Sequence, residues 1–354
     1  MLAIWPPSSD GGRHDANRER APYRRHSCPG VIMLFIVGMT RGGNTWLGKI
    51  FDAHPDVFYR HEPDSILKTH TLPAFCEDQE LNRYLPIAQE YFEAVFKVRT
   101  SKAIGTFPIM PKSYLSFSQH QLKRAMVVGA KGFEKAGVLS SFFRDLKLPE
   151  MAGSGDVHHV VKSIAALGRM NLFSRLYPQA KIILLLRHPA GQVASAIKAI
   201  ASDKIDGQPP ATEDWGIYKD LAATAQGRRK GLTLSGFQSL DPVERLAWRW
   251  AISNDKALDD LEGQPSVRTV LYEDLCKDPV AVSRSLFEFS GLDWRQEVED
   301  FVTQSSTTSN ANSYDRVIRD SLKTANSWRT KLAPSKVDLI ANVLAQSRAG
   351  QYYL

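Results

Sequence analysis

Seven apolar residues in a row, Val-Ile-Met-Leu-Phe-Ile-Val at 31–37, precede a glycine-rich polar run, Gly38-Met39-Thr40-Arg41-Gly42-Gly43-Asn44-Thr45. An amphipathic stretch follows at 45–54, with Trp46, Leu47, Ile50 and Phe51 on one helical face. The pattern predicts a buried strand, a tight loop and a helix. Short strands are expected again at 56–60, 158–163, 181–189 and 267–275. The run at 181–189 is unbroken in its apolar character, as in a parallel strand covered on both faces. Helices are expected at 80–100 with a break at Pro86, at 164–177, from Pro189 onward, at 242–261 and at 278–292, where Gly291 is a stop. The alternation of strand and helix predicts an α/β protein: a central, mostly parallel sheet flanked by helices in three layers.

Two segments do not fit a regular period. Residues 101–155 mix short apolar runs with Pro and Gly; with the residues before them they are expected to form an insertion, 65–155, that shapes a substrate site. Residues 203–214 read as a mobile polar loop, and the segment 203–240 that holds it is likewise expected to shape the acceptor pocket. Residues 1–30 are rich in Pro, Gly, Arg and Ser and are expected to be disordered, leaving one domain over 31–354. Met33 is an alternative start, because Leu34–Gly38 would still make a strand.

The composition narrows the function. Of 354 residues, 43% are hydrophobic and 23% charged, an ordinary soluble balance, and the net charge of +7 suits an anionic ligand. No block of like charge forms a nucleic-acid arm, so no nucleic-acid partner is expected. Three widely spaced cysteines, Cys28, Cys76 and Cys276, make neither a disulfide framework nor a zinc site. No apolar run spans a membrane and no signal peptide is evident. A reducing, cytoplasmic setting is expected.

Ligands of open α/β sheets sit at the carboxyl ends of strands. After the first strand, glycines let backbone N–H groups approach a phosphate, the helix N-terminus adds its dipole, and Arg41 adds a forked donor. The plain alternative is a glycine turn. The loop lacks the Gly-Lys-Ser/Thr order of nucleotide triphosphatases. After the run at 181–186 comes Arg187, where a magnesium-dependent phosphoryl enzyme would often carry an acid. Ser195 follows eight positions later. A cation and a hydroxyl there describe a second anion pocket; an arginine paired to a surface carboxylate is the alternative.

Four stretches together resemble the sulfotransferase family that uses 3′-phosphoadenosine 5′-phosphosulfate (PAPS), nearest its carbohydrate and tyrosyl-protein branches. They are the loop at 39–46, the segment 52–63, the run 176–197 and Val270–Pro279, in order within residues 31 to about 330. The first loop is similar to the family's 5′-phosphosulfate loop, Arg-Ser-Gly-Thr-Thr, with Arg41, Gly43 and Thr45 matching. Gly42 removes a hydroxyl and Asn44 substitutes an amide donor; Trp46 closes the motif. The family's 3′-phosphate arginine and serine fall on Arg187 and Ser195. The resemblance implies sulfuryl transfer without metal, from PAPS to a hydroxyl on a saccharide, glycolipid or small metabolite.

By the same resemblance Glu62 is the candidate base, with burial raising its pKa towards neutrality. His61 is second to it, and a surface position is preferred for that residue. Lys162 would stabilise charge on the leaving group, or is a surface lysine; Ile164 stands where the family has proline. Tyr272 either contacts the nucleotide or is core. Glu273 and Asp274 would support the helix that follows them. Ser327, Trp328 and Arg329 resemble a late loop over the nucleotide, in which Trp328 stacks on adenine or packs the loop. Two other functions stay open from the residues: a P-loop kinase, and a nucleotide-binding protein of this fold without catalysis. Oligomeric state is not legible.

Overall fold

The computed structural model describes residues 32–67, 72–135, 147–148, 157–201, 209–307 and 321–354. The expected N-terminal disorder, and residues 203–208 of the polar loop, lie outside them. Five strands carry the fold: β1 (Met33–Val37), β2 (Val57–His61), β3 (His158–Ser163), β4 (Lys181–Leu186) and β5 (Val267–Leu271). All pairings are parallel, in the order β2-β3-β1-β4-β5. β1 and β4 are neighbours, yet the chain leaves β1 for β2 at one edge and β4 for β5 at the other. That divergence is the switch point at which open α/β sheets bind ligands.

Residue alternation builds the layers. Leu34, Ile36, Ile183 and Leu185 face a cluster with Leu47, Ile50 and Phe51 of α1 (Asn44–Asp52) and with Phe287. Phe35, Val37, Ile182, Leu184 and Leu186 face the opposite way, against Phe92 of α2 (Leu81–Lys97), Phe173 and Trp250. Phe51 stacks on Phe287 at 4.6 Å between ring centres, and Phe35 on Phe173 at 4.2 Å. Because both faces are apolar, the strands read in sequence as continuous runs.

Several boundaries differ from expectation. The strand forecast at 267–275 ends at Leu271, and Tyr272–Lys277 is a helix whose first turn carries Glu273 and Asp274, favourable to its dipole. Pro86 does not break α2: it is exposed, and the single carbonyl it frees, on exposed Asn82, faces water. The helix expected at 164–177 is a 3₁₀ turn at Leu167–Arg169 followed by Met170–Leu176. The irregular 101–155 segment holds α3 (Ser101–Ile104) and a 19-residue helix, α4 (Phe117–Lys135). Ser116 and Gln119 bond reciprocally at the start of α4, the Ser116 N–H to Gln119 Oε1 at 2.9 Å and the Gln119 N–H to Ser116 Oγ at 3.3 Å. Such a box was readable, but glycines at 129 and 132 obscured the period.

A buried charge cluster ties this segment to α1. Lys49 Nζ donates to Asp52 Oδ2 and to the Pro108 carbonyl, each at 2.5 Å. Lys112 Nζ reaches Asp52 Oδ1 at 2.9 Å and the His54 carbonyl at 3.1 Å. Burial pushes the Asp52 carboxyl up, but Lys112 and Lys49 outweigh it and hold it at about 2, below the ordinary 3.8. Its stabilising contribution is thus present above the ordinary value and lost as pH falls through about 2. Replacing Asp52 by Asn leaves two buried ammonium groups uncompensated. Denaturant unfolding should show a loss of about 3–5 kcal/mol; a loss within error would contradict this account of the cluster.

Candidate functional site

The loop after β1 turns through two left-handed residues, Arg41 at φ 66° and Gly43 at φ 95°. Gly43 is required twice over: a Cβ there would lie 2.3 Å from Tyr272 Cδ2. The Gly42 N–H is committed to the Met39 carbonyl at 3.1 Å, and Gly42 does not line the cavity below, contrary to expectation. Asn44 also differs. Its Nδ2 turns back to the Met39 carbonyl at 2.7 Å, so the amide braces the loop instead of reaching for a phosphate. The Asn44 and Thr45 N–H groups, first in α1, have no carbonyl a turn earlier in the helix to bond. Trp46 is buried, with Nε1 donating to Ser305 Oγ at 2.9 Å.

The segment after β4 clamps this loop. Arg187 Nη1 donates to the Arg41 carbonyl at 2.8 Å and Nη2 to the Thr324 carbonyl at 3.3 Å. Gln192 Nε2 donates to the Thr40 carbonyl at 2.8 Å, and Arg41 Nε to Ser195 Oγ at 3.2 Å. Arg187 is therefore bound to carbonyls, not to a surface carboxylate. Its guanidinium lies 4.7 Å from the Tyr272 ring centre, while Nε is buried and without a partner. Gly191, whose added Cβ would stand 3.2 Å from that Nε, lines the cavity. An oxyanion there would satisfy the orphaned donor. Tyr272 is a core ring, edge-on to Trp46, that also lines the cavity. Glu273, besides standing in the first turn of its own helix, reaches back to β4. Its Oε1 accepts from the His188 N–H at 3.1 Å and so secures the end of β4.

On the other side of β1, parallel register pairs His61 with Lys162, and the Glu62 N–H bonds the Lys162 carbonyl at 2.8 Å. Glu62 is left-handed at φ 46°; it and Arg41 are the only non-glycine residues with positive φ among the described residues. Lys162 Nζ bonds directly to Glu62 Oε1, and its side chain is 2% exposed, so it is no surface lysine. Burial raises the Glu62 carboxyl, but Lys162, by its charge and its hydrogen bond, outweighs it and brings it below the ordinary 4.5. The expected rise towards neutrality is thus overturned by the ion pair. Burial likewise pushes Lys162 down from 10.5, against the opposing pull of Glu62. We take the pair as charged at neutral pH. His61 is not on the surface: it lines the cavity with Nε2 3.7 Å from Glu62 Oε1, and burial holds it neutral, at about 3.

These groups open onto one cavity of about 760 Å³. Of the residues expected from sequence, Arg41, Gly43, Asn44, Thr45, Trp46, His61, Glu62, Lys162, Arg187, Ser195, Tyr272 and Ser327 line it. Trp328 and Arg329 do not. Trp328 is buried and stacks on His188 at 4.7 Å, so it packs the loop; Arg329 is exposed, over the Trp328 ring. Sequence reasoning missed Lys198 and Lys331, although Lys198 lies three residues after Ser195, on the same helical face. Ser305 carried no signal; packing alone brings it beneath Trp46. Among the described residues of the lining, five cations, Arg41, Lys162, Arg187, Lys198 and Lys331, face a single carboxylate, Glu62. No described residue from 65–155 or 209–240 lines the cavity, so the described parts of those segments do not shape it. Elsewhere, His54 approaches Asp56 and Asp293 as a metal triad would. Its Nδ1 accepts from the Asp56 N–H at 3.1 Å and its Nε2 bonds Asp293 at 3.0 Å, so neither nitrogen has a lone pair to give.

The model of the family described as "Sulfotransferase family" matches residues 34–296. "Carbohydrate sulfotransferase 5" of Mus musculus is 22% identical over 339 residues, covering 86% of this chain and 76% of that protein. "Carbohydrate sulfotransferase 1" of Danio rerio is 23% identical over 364 residues, covering 91% and 78%. Among solved structures, the "Sulfotransferase Domain from the Curacin Biosynthetic Pathway" is 15% identical with a TM-score of 0.42, covering 89% of this chain and 98% of that one. One prediction follows from the loop itself. Gly43→Ala combines a left-handed alanine with a clash against Tyr272, and should lower the unfolding free energy by roughly 2–4 kcal/mol. An unchanged thermal midpoint would contradict the close packing of loop and ring.

Proposed function

The chain belongs to the sulfotransferase family, and we propose that it uses PAPS to sulfate a hydroxyl on a saccharide. The observation that carries the donor is the charge of the lining: five cations against one carboxylate, with a buried arginine donor left over at the end of β4. The names of the relatives support the saccharide. On this reading PAPS supplies the activated sulfuryl group and a good leaving phosphate. The Asn44 and Thr45 backbone, with Arg41, holds its 5′ side, and Arg187 and Ser195 hold its 3′-phosphate. Lys198, Lys331 and Ser327 stand close enough along the lining to add to the field.

Glu62 takes the acceptor's proton. Oε1 is engaged by Lys162, which leaves Oε2 to receive it. A carboxylate with a lowered pKa is a weak base, and it suffices if the proton moves late, after the acceptor oxygen has begun to bond sulfur and grown acidic. Lys162 supports the charge arriving on the leaving oxygen, in the manner of a preorganised electrostatic site. A kinase reading asks this cavity for acidic metal ligands, and the one carboxylate among its described lining residues is already engaged by a lysine.

The test is transfer of label from radiolabelled PAPS to a panel of saccharides, with Glu62→Gln alongside. The account expects transfer by the wild type and a fall in kcat of about 10²–10⁴ in the variant, with the KM for PAPS little changed. Label transfer from ATP–magnesium instead would favour the kinase; PAPS binding with no transfer to any acceptor would favour the non-catalytic protein. The pH profile supplies a second check. Because the Glu62 carboxyl lies below 4.5, the rate should hold down to about that pH and fall only beneath it. It should decline on the alkaline side below pH 10.5, as Lys162 loses its proton. His61→Gln should leave the acid limb in place. An acid limb near neutrality would contradict Glu62 as the base in this environment.

A further inference from the structure

α4 (Phe117–Lys135) has two unlike sides. Inward, Val127 and Ala130 are buried, with Val127 against Gly105. His120 Nε2 lies 3.3 Å from the Met110 carbonyl, and Lys131 Nζ sits 4.6 Å from the Phe107 ring centre. Outward, Phe117 is 80% exposed, Leu122 54%, Val128 50% and Phe133 49%. These are four of the seven large hydrophobic residues exposed in the described chain, so the apolar surface is concentrated on this one helix. At 100° per residue they span about 160° of the circumference, an arc that also holds Ala125, Gly129 and Gly132 and two polar residues, Ser118 and Gln121. A Cβ added at Gly129 or Gly132 would meet nothing within 4 Å, so no neighbour requires glycine there. Arg124 is exposed and, with Lys131, borders the edge that carries Phe117 and Val128. No Asp or Glu occurs between Phe117 and Phe133.

An apolar face of this size needs an occupant. A second copy, paired through the same face, would bring one basic border against another, with no acidic residue within the face to relieve it, because the helix's one acidic position, Glu134, falls on the opposite side at 100° per residue. A lipid surface complements both parts at once: the aromatic and aliphatic side chains enter the boundary between head groups and acyl chains, and exposed Arg124 at the edge meets anionic head groups. The net charge of +7 acts in the same sense. We infer that α4 is a docking face for an anionic lipid bilayer. Attachment is peripheral: no helix of the described residues is long and apolar enough to cross a membrane. The inference does not rest on sulfuryl transfer.

The test is co-sedimentation of the full chain with vesicles of phosphatidylcholine, with and without phosphatidylserine, at low and high salt. The expected result is at least about tenfold more protein pelleted by the phosphatidylserine vesicles at low salt, reduced as salt screens the border charges. The triple variant Phe117→Ser, Leu122→Ser, Phe133→Ser should lose that binding with an unchanged unfolding midpoint, and Arg124→Glu should weaken it. Equal pelleting by both vesicles, or binding that survives the triple variant, overturns the inference. So does a concentration-dependent dimer abolished by the same substitutions, which gives the face to a second copy. A lower unfolding midpoint in the variant overturns it too, because the face would then be covered within the chain.

Discussion

The site depends on a clamp between two strand ends. The β1 loop turns through left-handed residues, which leaves its carbonyls in need of donors. Arg187, at the end of β4, answers the Arg41 carbonyl, and Gln192, a turn into the following helix, answers that of Thr40. The arginine is itself secured: Trp250 Nε1 donates to its carbonyl at 3.0 Å from the long helix Pro242–Asp260. A residue proposed to hold one anion thus also shapes the loop proposed to hold another. The two subsites are mechanically one, and binding at either is expected to stiffen both.

The second half of the site lies across β1, on β2 and β3. Parallel register, not sequence proximity, brings Glu62 to Lys162, a hundred residues on. The strained backbone at Glu62 and Arg41 is held by this surrounding structure: Pro63 starts a 3₁₀ turn, Ser65 Oγ donates to the Glu62 carbonyl at 2.8 Å, and the clamp holds Arg41. Strain confined to two residues that line the cavity is the pattern expected where geometry serves chemistry.

Much of this was legible in the chain. Apolar runs at β1, β3 and β4 announced a parallel sheet, and the glycine, arginine and serine that follow β1 and β4 marked the residues that come to line one cavity. What could not be read depended on partners. Glu62 was expected to have a raised pKa because burial is visible in a pattern, whereas the compensating lysine is a matter of register. Trp328 was expected near a nucleotide because aromatic rings stack on bases, but His188 already occupies its face. Pro86 and α4 show the limit of local propensity: an exposed proline costs one hydrogen bond that water replaces, and a helix with two glycines is held by its inner face.

The most direct measurement is calorimetric titration with 3′-phosphoadenosine 5′-phosphate, in the presence of a metal chelator, on the wild type and on Arg187→Ala. The account predicts binding by the wild type that the substitution weakens at least tenfold, about 1.4 kcal/mol. Heat from ATP–magnesium but none from the bisphosphate, in a protein shown to be folded, would contradict it.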